Sequence, residues 1–314
     1  MDSSFNDVHL SNLEAQQRLR TLVVDSIPAS ASRRAYGRAI DKFFGWYLKE
    51  RPSTGLTKGT VQSYRSVLIK SGLSSSSINL DLTAIRRLAA EAADNGLITS
   101  EIAMGIARIK GVKRIGLRIG NWLSALQAEQ LMEAPDSSTL KGKRDYGILA
   151  LLIGCGLRRE EAAHLELQDI QRREGRWVII DILGKGNRTR SIPVPLFAKE
   201  AIDTWVEAAG FSSGRIFRPL NRGGRISGKS ITGQSILEIV TKYTAEIGVA
   251  HISPHNLRRT FARLAHNGKS SLEQIQLSLG HRSVAVTESY VGVKQDLQDA
   301  PCDRLGLRPG SRNL

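Results

Sequence analysis

The 314-residue chain carries 45 Lys and Arg against 30 Asp and Glu, for a formal net charge of +15, with 41% hydrophobic and 24% charged residues. This composition excludes a disordered or fibrous polymer, and the length favours two compact units over one. No apolar run approaches the roughly 20 residues that span a bilayer, and Met1-Asp2-Ser3-Ser4-Phe5 is no basic-then-apolar leader, so an intracellular protein that meets nucleic acid rather than membrane is expected.

Residues 1–29 precede the first clear helical pattern and read as an N-terminal segment. Ser30 to Glu50 predicts a helix, with Ala35, Ala39, Phe43, Trp46 and Tyr47 on one face and Arg33, Arg34, Arg38 and Lys42 elsewhere. Thr57 to about Lys70 predicts a second, striped by Val61, Tyr64, Val67 and Leu68. A third starts in Ser74–Ser77, turns Ile78, Leu82, Ile85 and Leu88 inward, and stops at Asn95-Gly96. These elements predict a helical domain over residues 30–110.

The basic pairs Arg33-Arg34 and Arg86-Arg87, read alone, are solvated helix faces. The run from Arg108 to Arg114 contains Lys110, Lys113 and Arg114 and continues to Gly116 and Gly120. It predicts a basic linker over 111–122 joining two basic lobes, suited to track a phosphate backbone.

A second domain is expected over 123–292. Asp145 to Leu157 is nearly all apolar and suits a buried helix. Trp177 to Leu183 and Ser191 to Val194 predict a hairpin whose Gly184-Lys185-Gly186-Asn187 turn carries Lys185. The pattern is helical again from Ile231, so the expected fold is mainly α with one small β-sheet. Cys155 and Cys302 read as reduced thiols, and the six histidines have no metal-ligand spacing. Neither a metal nor a cofactor is expected.

Four signals follow one another in this second domain: Gly156-Leu157-Arg158-Arg159-Glu160-Glu161; Gly184-Lys185-Gly186-Asn187-Arg188; Pro254-His255-Asn256-Leu257-Arg258-Arg259; and Leu279-Gly280-His281 ahead of Tyr290. Each has a plainer reading by itself. Arg158 would be a surface arginine, Lys185 a solvated turn lysine, His281 a capping residue, and Tyr290 a core tyrosine sharing a stripe with Val286 and Val293. In this order, and with Tyr290 nine residues beyond His281, they closely resemble the tyrosine recombinase, or phage integrase, family.

The resemblance covers about Leu126 to Val293. It implies a SAM-like helical core-binding domain followed by a mixed α/β integrase catalytic domain, of the simple two-domain Xer type. Arg158 and Arg258 would clamp the scissile phosphate, Tyr290 attack it and Lys185 protonate the leaving 5′ oxygen. His255 and His281 would assist proton transfer and hold the phosphate, and Glu161 would support Arg158. Arg188 and Arg259 stand where lysine and histidine are common and keep the positive charge; with the basic residues above they are candidate DNA contacts. His164, His251 and His266 match no catalytic position.

The chemistry agrees with those roles. Two guanidiniums each bind two oxygens of a phosphate, a Tyr hydroxyl needs cations or a base to attack near neutrality, and a departing alkoxide needs a proton donor. The resemblance further implies site-specific recombination through a 3′-phosphotyrosyl link and a Holliday junction, for a mobile element or for replicon resolution. The partners would be double-stranded DNA with an inverted-repeat core site, three further protomers in a synaptic tetramer (monomer or dimer off DNA), and an accessory protein. The 293–314 tail is expected either to be exchanged between protomers or to be a frayed terminus, and the enzyme would work in the cytoplasm, at the nucleoid. Two rivals stay open: a non-catalytic DNA-binding protein on the same fold, and a type IB topoisomerase.

Overall fold

The computed structural model describes residues 13–51, 54–113, 121–184 and 188–292. The chain divides into two units, Met1–Leu117 and Arg118–Leu314.

The first unit holds α1 (Leu13–Asp25), α2 (Ser30–Glu50), α3 (Lys58–Lys70), α4 (Ser75–Asp94) and α5 (Ser100–Ala107). Thr57, Ser74 and Thr99 each accept a hydrogen bond from the backbone N–H three residues on, fixing the starts of α3, α4 and α5. The core joins Phe43 and Tyr47 of α2, Tyr64 and Leu68 of α3, and Leu82, Ile85 and Leu88 of α4. Phe43 meets Tyr64 edge-on at 5.1 Å between ring centres.

Helix α1 begins well ahead of the predicted start at Ser30. It buries Leu19 and Val23 in the same core. Residues 111–113, expected to open the linker, are strapped to α4. The Asn79 amide accepts from the Val112 N–H at 2.7 Å and donates to its carbonyl at 3.0 Å. Gly111 permits this, because a Cβ there would sit 2.5 Å from Asn79 Oδ1.

In the second unit α6 (Ala125–Glu133) starts with a Ser124/Gln127 capping box. Helix α7 (Leu140–Cys155) is the central buried helix, starting a turn earlier than its apolar run because Thr139 caps it. Asp145, inside α7, is fully buried. It accepts from Arg144 at 3.0 and 2.7 Å, from the Tyr243 hydroxyl at 3.0 Å and from Lys141. Then come α8 (Arg159–His164) and a sheet of β1 (Ile170–Arg173), β2 (Arg176–Gly184) and β3 (Arg188–Val194) in the order β1-β2-β3, all antiparallel. Strand β1 was not expected from the sequence. Helices α9 (Leu196–Ala209), α10 (Gly233–Glu246), α11 (Pro254–Asn267), α12 (Leu272–Leu279) and α13 (Val284–Val291) complete the unit.

The sheet carries a bulge that decides which side chains face inward. Ile179 pairs with Ile192, but Ile182 pairs with Arg190, so β2 holds one residue more than β3 across that stretch. Asp181, with φ +52°, takes up the extra residue. Ile179 and Ile182 therefore both point into the core, although three residues apart in a regular strand they would face opposite ways. Opposite Ile182, Arg190 is turned inward as well. Among the described residues no helix is long and apolar enough to cross a membrane.

Candidate active site

The site is built where α7 and α12 end, α8 and α11 begin, and α13 lies alongside. Helix α7 closes on Gly156 in the left-handed conformation, φ +60°, with its N–H bonded back to the Leu152 carbonyl. The freed Gly156 carbonyl accepts from Arg258 Nη1 at 2.7 Å, and Arg258 Nη2 donates to the Leu279 carbonyl at the end of α12. Arg258 is only 2% exposed. Burial, reinforced by Arg158, draws its pKa down to about 10, so it remains charged at neutrality.

Arg158 is the N-cap of α8, and Glu161 is three residues into that turn. The carboxylate accepts from the Arg158 N–H at 2.9 Å and from its Nη1 at 2.6 Å. The same carboxylate accepts from Arg190 Nη1 at 3.1 Å and Nη2 at 2.7 Å. Burial by itself would raise the Glu161 carboxyl; the bonds from Arg190 and Arg158 outweigh it and hold the pKa below the usual range.

Tyr290 sits near the end of α13. It packs against the small buried cluster formed by Ala262, Ile275, Leu279 and Val291. The stripe expected with Val286 and Val293 does not form the core here, because Val286 is 44% exposed and Val293 lies outside the described residues. The Tyr290 hydroxyl is 3.2 Å from His255 Nε2 and donates to the His255 carbonyl at 3.3 Å. Arg259 lies over the ring with its Cζ 4.8 Å from the centre, and His281 meets the ring edge-on at 5.0 Å. Burial lifts the Tyr290 pKa above its ordinary value, and Arg258, Arg259 and Arg158 offset only part of that rise.

Both histidines are neutral at pH 7. Burial lowers His255, helped by Arg259, Arg258 and Arg158. Burial and the same Arg258–Arg158 pair bring His281 to about 4. His281 Nδ1 lies 3.0 Å from the hydroxyl of the buried Thr287. The start of α11 that presents His255 and Arg258 is fixed by Pro254 at its first position and by the Asn256 side chain, whose Oδ1 accepts from the Ser253 N–H at 3.0 Å and from its hydroxyl at 2.6 Å.

The structure thus brings Arg158, Glu161, His255, Arg258, His281 and Tyr290 into one site. Lys185 and Arg114 lie outside the described residues, as does the side chain of Arg188. Arg259, expected among the DNA contacts, is on the Tyr290 ring. Arg86 is half-buried and donates to the Ile109 carbonyl, and Arg87 pairs with Glu91 at 3.0 Å. Arg33 donates to the Ile27 carbonyl and is exposed, as are Arg34, Lys110 and Lys113. Helix α12 is capped by Ser271, whose side chain accepts from the Gln274 N–H. His281 follows Gly280, which ends α12 in the left-handed conformation at φ +62°.

Sequence reasoning missed Arg190, Thr287 and Arg263. Arg190 carried a signal, since it alternates with the inward Ile192 and Val194 of β3. Thr287 is three residues before Tyr290 and so shares its helix face. Arg263 continues the His255, Arg259 row along α11. It donates to the Val291 carbonyl at 3.0 Å, holding the end of α13, and stacks on Trp122 at 4.0 Å.

Residues 121–296 match the model of the phage integrase family, which is more than half of the chain. The chain belongs to the phage integrase family. It is 30% identical over 276 residues to the tyrosine recombinase XerC of Thermodesulfovibrio yellowstonii, covering 84% of this chain and 86% of the relative. It is 36% identical over 171 residues to that of Pelobacter propionicus, 54% of each. Among solved structures, a lambda integrase dimer bound to a COC′ core site has a TM-score of 0.68 at 19% identity, covering 90% of this chain and 98% of that one. XerH site-specific recombinase bound to its difH substrate has 0.65 at 20%, covering 90% and 82%. At such identities the structures speak for the fold: this integrase-family chain is mainly helical with one small antiparallel sheet, as expected.

Proposed function

We propose that this chain is a site-specific DNA recombinase whose nucleophile is Tyr290. One observation carries the reading: the Tyr290 hydroxyl stands 3.2 Å from a neutral histidine nitrogen and within the field of three guanidiniums, Arg258, Arg259 and Arg158. Phosphoryl transfer asks for that combination, a positioned oxygen nucleophile and cations for the charge on the non-bridging oxygens.

In the forward step Tyr290 Oη bonds to phosphorus as the bond to the 5′ oxygen breaks. The phenol proton passes to His255, the nearest neutral acceptor, and the leaving oxygen takes a proton from Lys185, the role the family resemblance gives that residue. An incoming phosphodiester brings negative charge next to His255 and His281, raising both and easing that proton transfer. Rejoining is the same reaction run backwards by a 5′ hydroxyl of the exchanged strand. The phosphodiester energy stays in the phosphotyrosyl link, so the step consumes no ATP.

Strand exchange through a Holliday junction places four protomers on two inverted-repeat core sites, with Arg33, Arg34, Lys110, Lys113, Arg114 and Arg188 along the backbone. A protein acting on such sites works where the DNA lies, in the cytoplasm at the nucleoid. The resolution of replicons or the movement of an element fits the relatives named XerC.

A nicked duplex carrying the inverted repeats that flank the gene tests the reading, because the nick lets the cleaved fragment diffuse away and traps the covalent complex. Wild-type protein is expected to give an adduct that survives boiling in detergent, and Tyr290→Phe to give none. Sequence-specific binding without adduct would make the chain a DNA-binding protein. Relaxation of any supercoiled plasmid would make it a topoisomerase.

A further inference from the structure

Glu161 makes four hydrogen bonds through two oxygens, the full acceptor capacity of a carboxylate. Arg158 supplies two of them, one from its backbone N–H, and Arg190 supplies the other two. The Arg190 and Glu161 side chains are each 8% exposed, whereas that of Arg158 is 34% exposed. Arg190 has a third anchor, Nε to the Ser278 carbonyl at 2.9 Å. Its stem lies under Gly280, where a Cβ would come within 2.9 Å of Arg190 Cδ. One buried guanidinium therefore ties together strand β3, the α8 turn that presents Arg158, and the end of α12 just before His281.

We infer that Arg190 is a positioning residue for strand cleavage: by occupying half of the Glu161 carboxylate it limits Arg158 to a single side-chain bond there and leaves that guanidinium available to the scissile phosphate. The physical reason is competition. A buried carboxylate stripped of two charged donors is strongly driven to replace them. The nearest donor is Arg158, whose fork fits both oxygens. Without Arg190, Arg158 turns onto Glu161 as a bidentate pair and away from DNA. The Glu161 charge is then a trap for the catalytic arginine rather than its support.

This inference rests on the recombinase reading for its function but not for its geometry, and the two are tested apart. In the trapping assay above, Arg190→Gln is expected to slow adduct formation by about 10- to 100-fold, the range for losing charged hydrogen bonds, with DNA binding changed less than about threefold. Arg190→Lys keeps the charge with fewer bonds and is expected to fall between the two; it also serves if the glutamine variant does not fold. The discriminating measurement is Glu161→Gln combined with Arg190→Gln. With the trap neutralised, the second substitution is expected to cost almost nothing further; contacting residues couple in any case, so what overturns the proposal is an Arg190→Gln loss in the Glu161→Gln background as large as in wild type, which would assign its effect to the Ser278 anchor instead of to Glu161. A crystal structure of Arg190→Lys or Arg190→Gln with Arg158 still on a single Glu161 oxygen overturns it too, whatever the DNA assay shows. Absence of an adduct with wild-type protein overturns the recombinase reading, and the crystal structure then still decides the geometry.

Discussion

Two histidines govern how the site answers pH. His281 is neutral in the folded protein down to about 4 but titrates near 6.5 when unfolded. Between those values the unfolded chain binds the extra proton, so stability from this group is complete above about 6.5 and is lost as pH falls towards 4. His255 is lowered as well and acts in the same direction. The melting temperature is therefore expected to drop steadily from pH 7 to pH 4.5, and His281→Gln to show a shallower drop; equal slopes would count against a neutral, desolvated His281. At this scale the sequence revealed which residues converge, because Arg158, His255, Arg258, His281 and Tyr290 stand in motifs with family spacing. It did not reveal Arg190, whose role depends on a strand facing a carboxylate 29 positions earlier.

Helix ends, more than helices, place the chemistry. The turn after α7 must deliver Arg158 while its last carbonyl receives Arg258, and Gly156 makes this possible with φ +60° and no side chain. A Cβ at that position would lie 2.6 Å from the Phe261 ring and 3.1 Å from Leu279. Gly156→Ala combines a left-handed alanine with overpacking and is expected to cost about 2–4 kcal/mol in denaturant unfolding. It is also expected to slow adduct formation more than a surface Gly210→Ala, where φ is +67° but no atom lies within 4 Å of the Cβ. Helix periodicity and caps were legible in the sequence to within a residue or two, as with Thr57 and Ser74. The β2 bulge was not, because an extra residue taken up by Asp181 leaves the apolar run unchanged while inverting which residues face inward.

Across the whole chain the excess of 15 positive charges is a statement about a polyanion. Affinity for the inverted-repeat duplex is expected to fall by about 10³–10⁵ between roughly 50 and 200 mM salt, as for proteins that neutralise six to ten phosphates. Fluorescence anisotropy across that range measures the slope, and a flat response would remove backbone contact from the account. The first unit, although its motifs are the less specific, contributes exposed basic residues to this term. Arg86 shows the limit of counting charges, since its guanidinium is spent on the Ile109 carbonyl.

What the sequence determined by itself is local or additive: helix stripes, hydroxyl caps, the total charge, and the order of four motifs whose spacing marks a family. What only the tertiary structure decided depends on groups far apart in the chain meeting in a buried place. Burial lowers the pKa values of both histidines, and the fold places Arg259 on the Tyr290 ring and divides one carboxylate between Arg158 and Arg190. Desolvation and competition for hydrogen bonds exist only once those groups share a site, and no linear pattern records them.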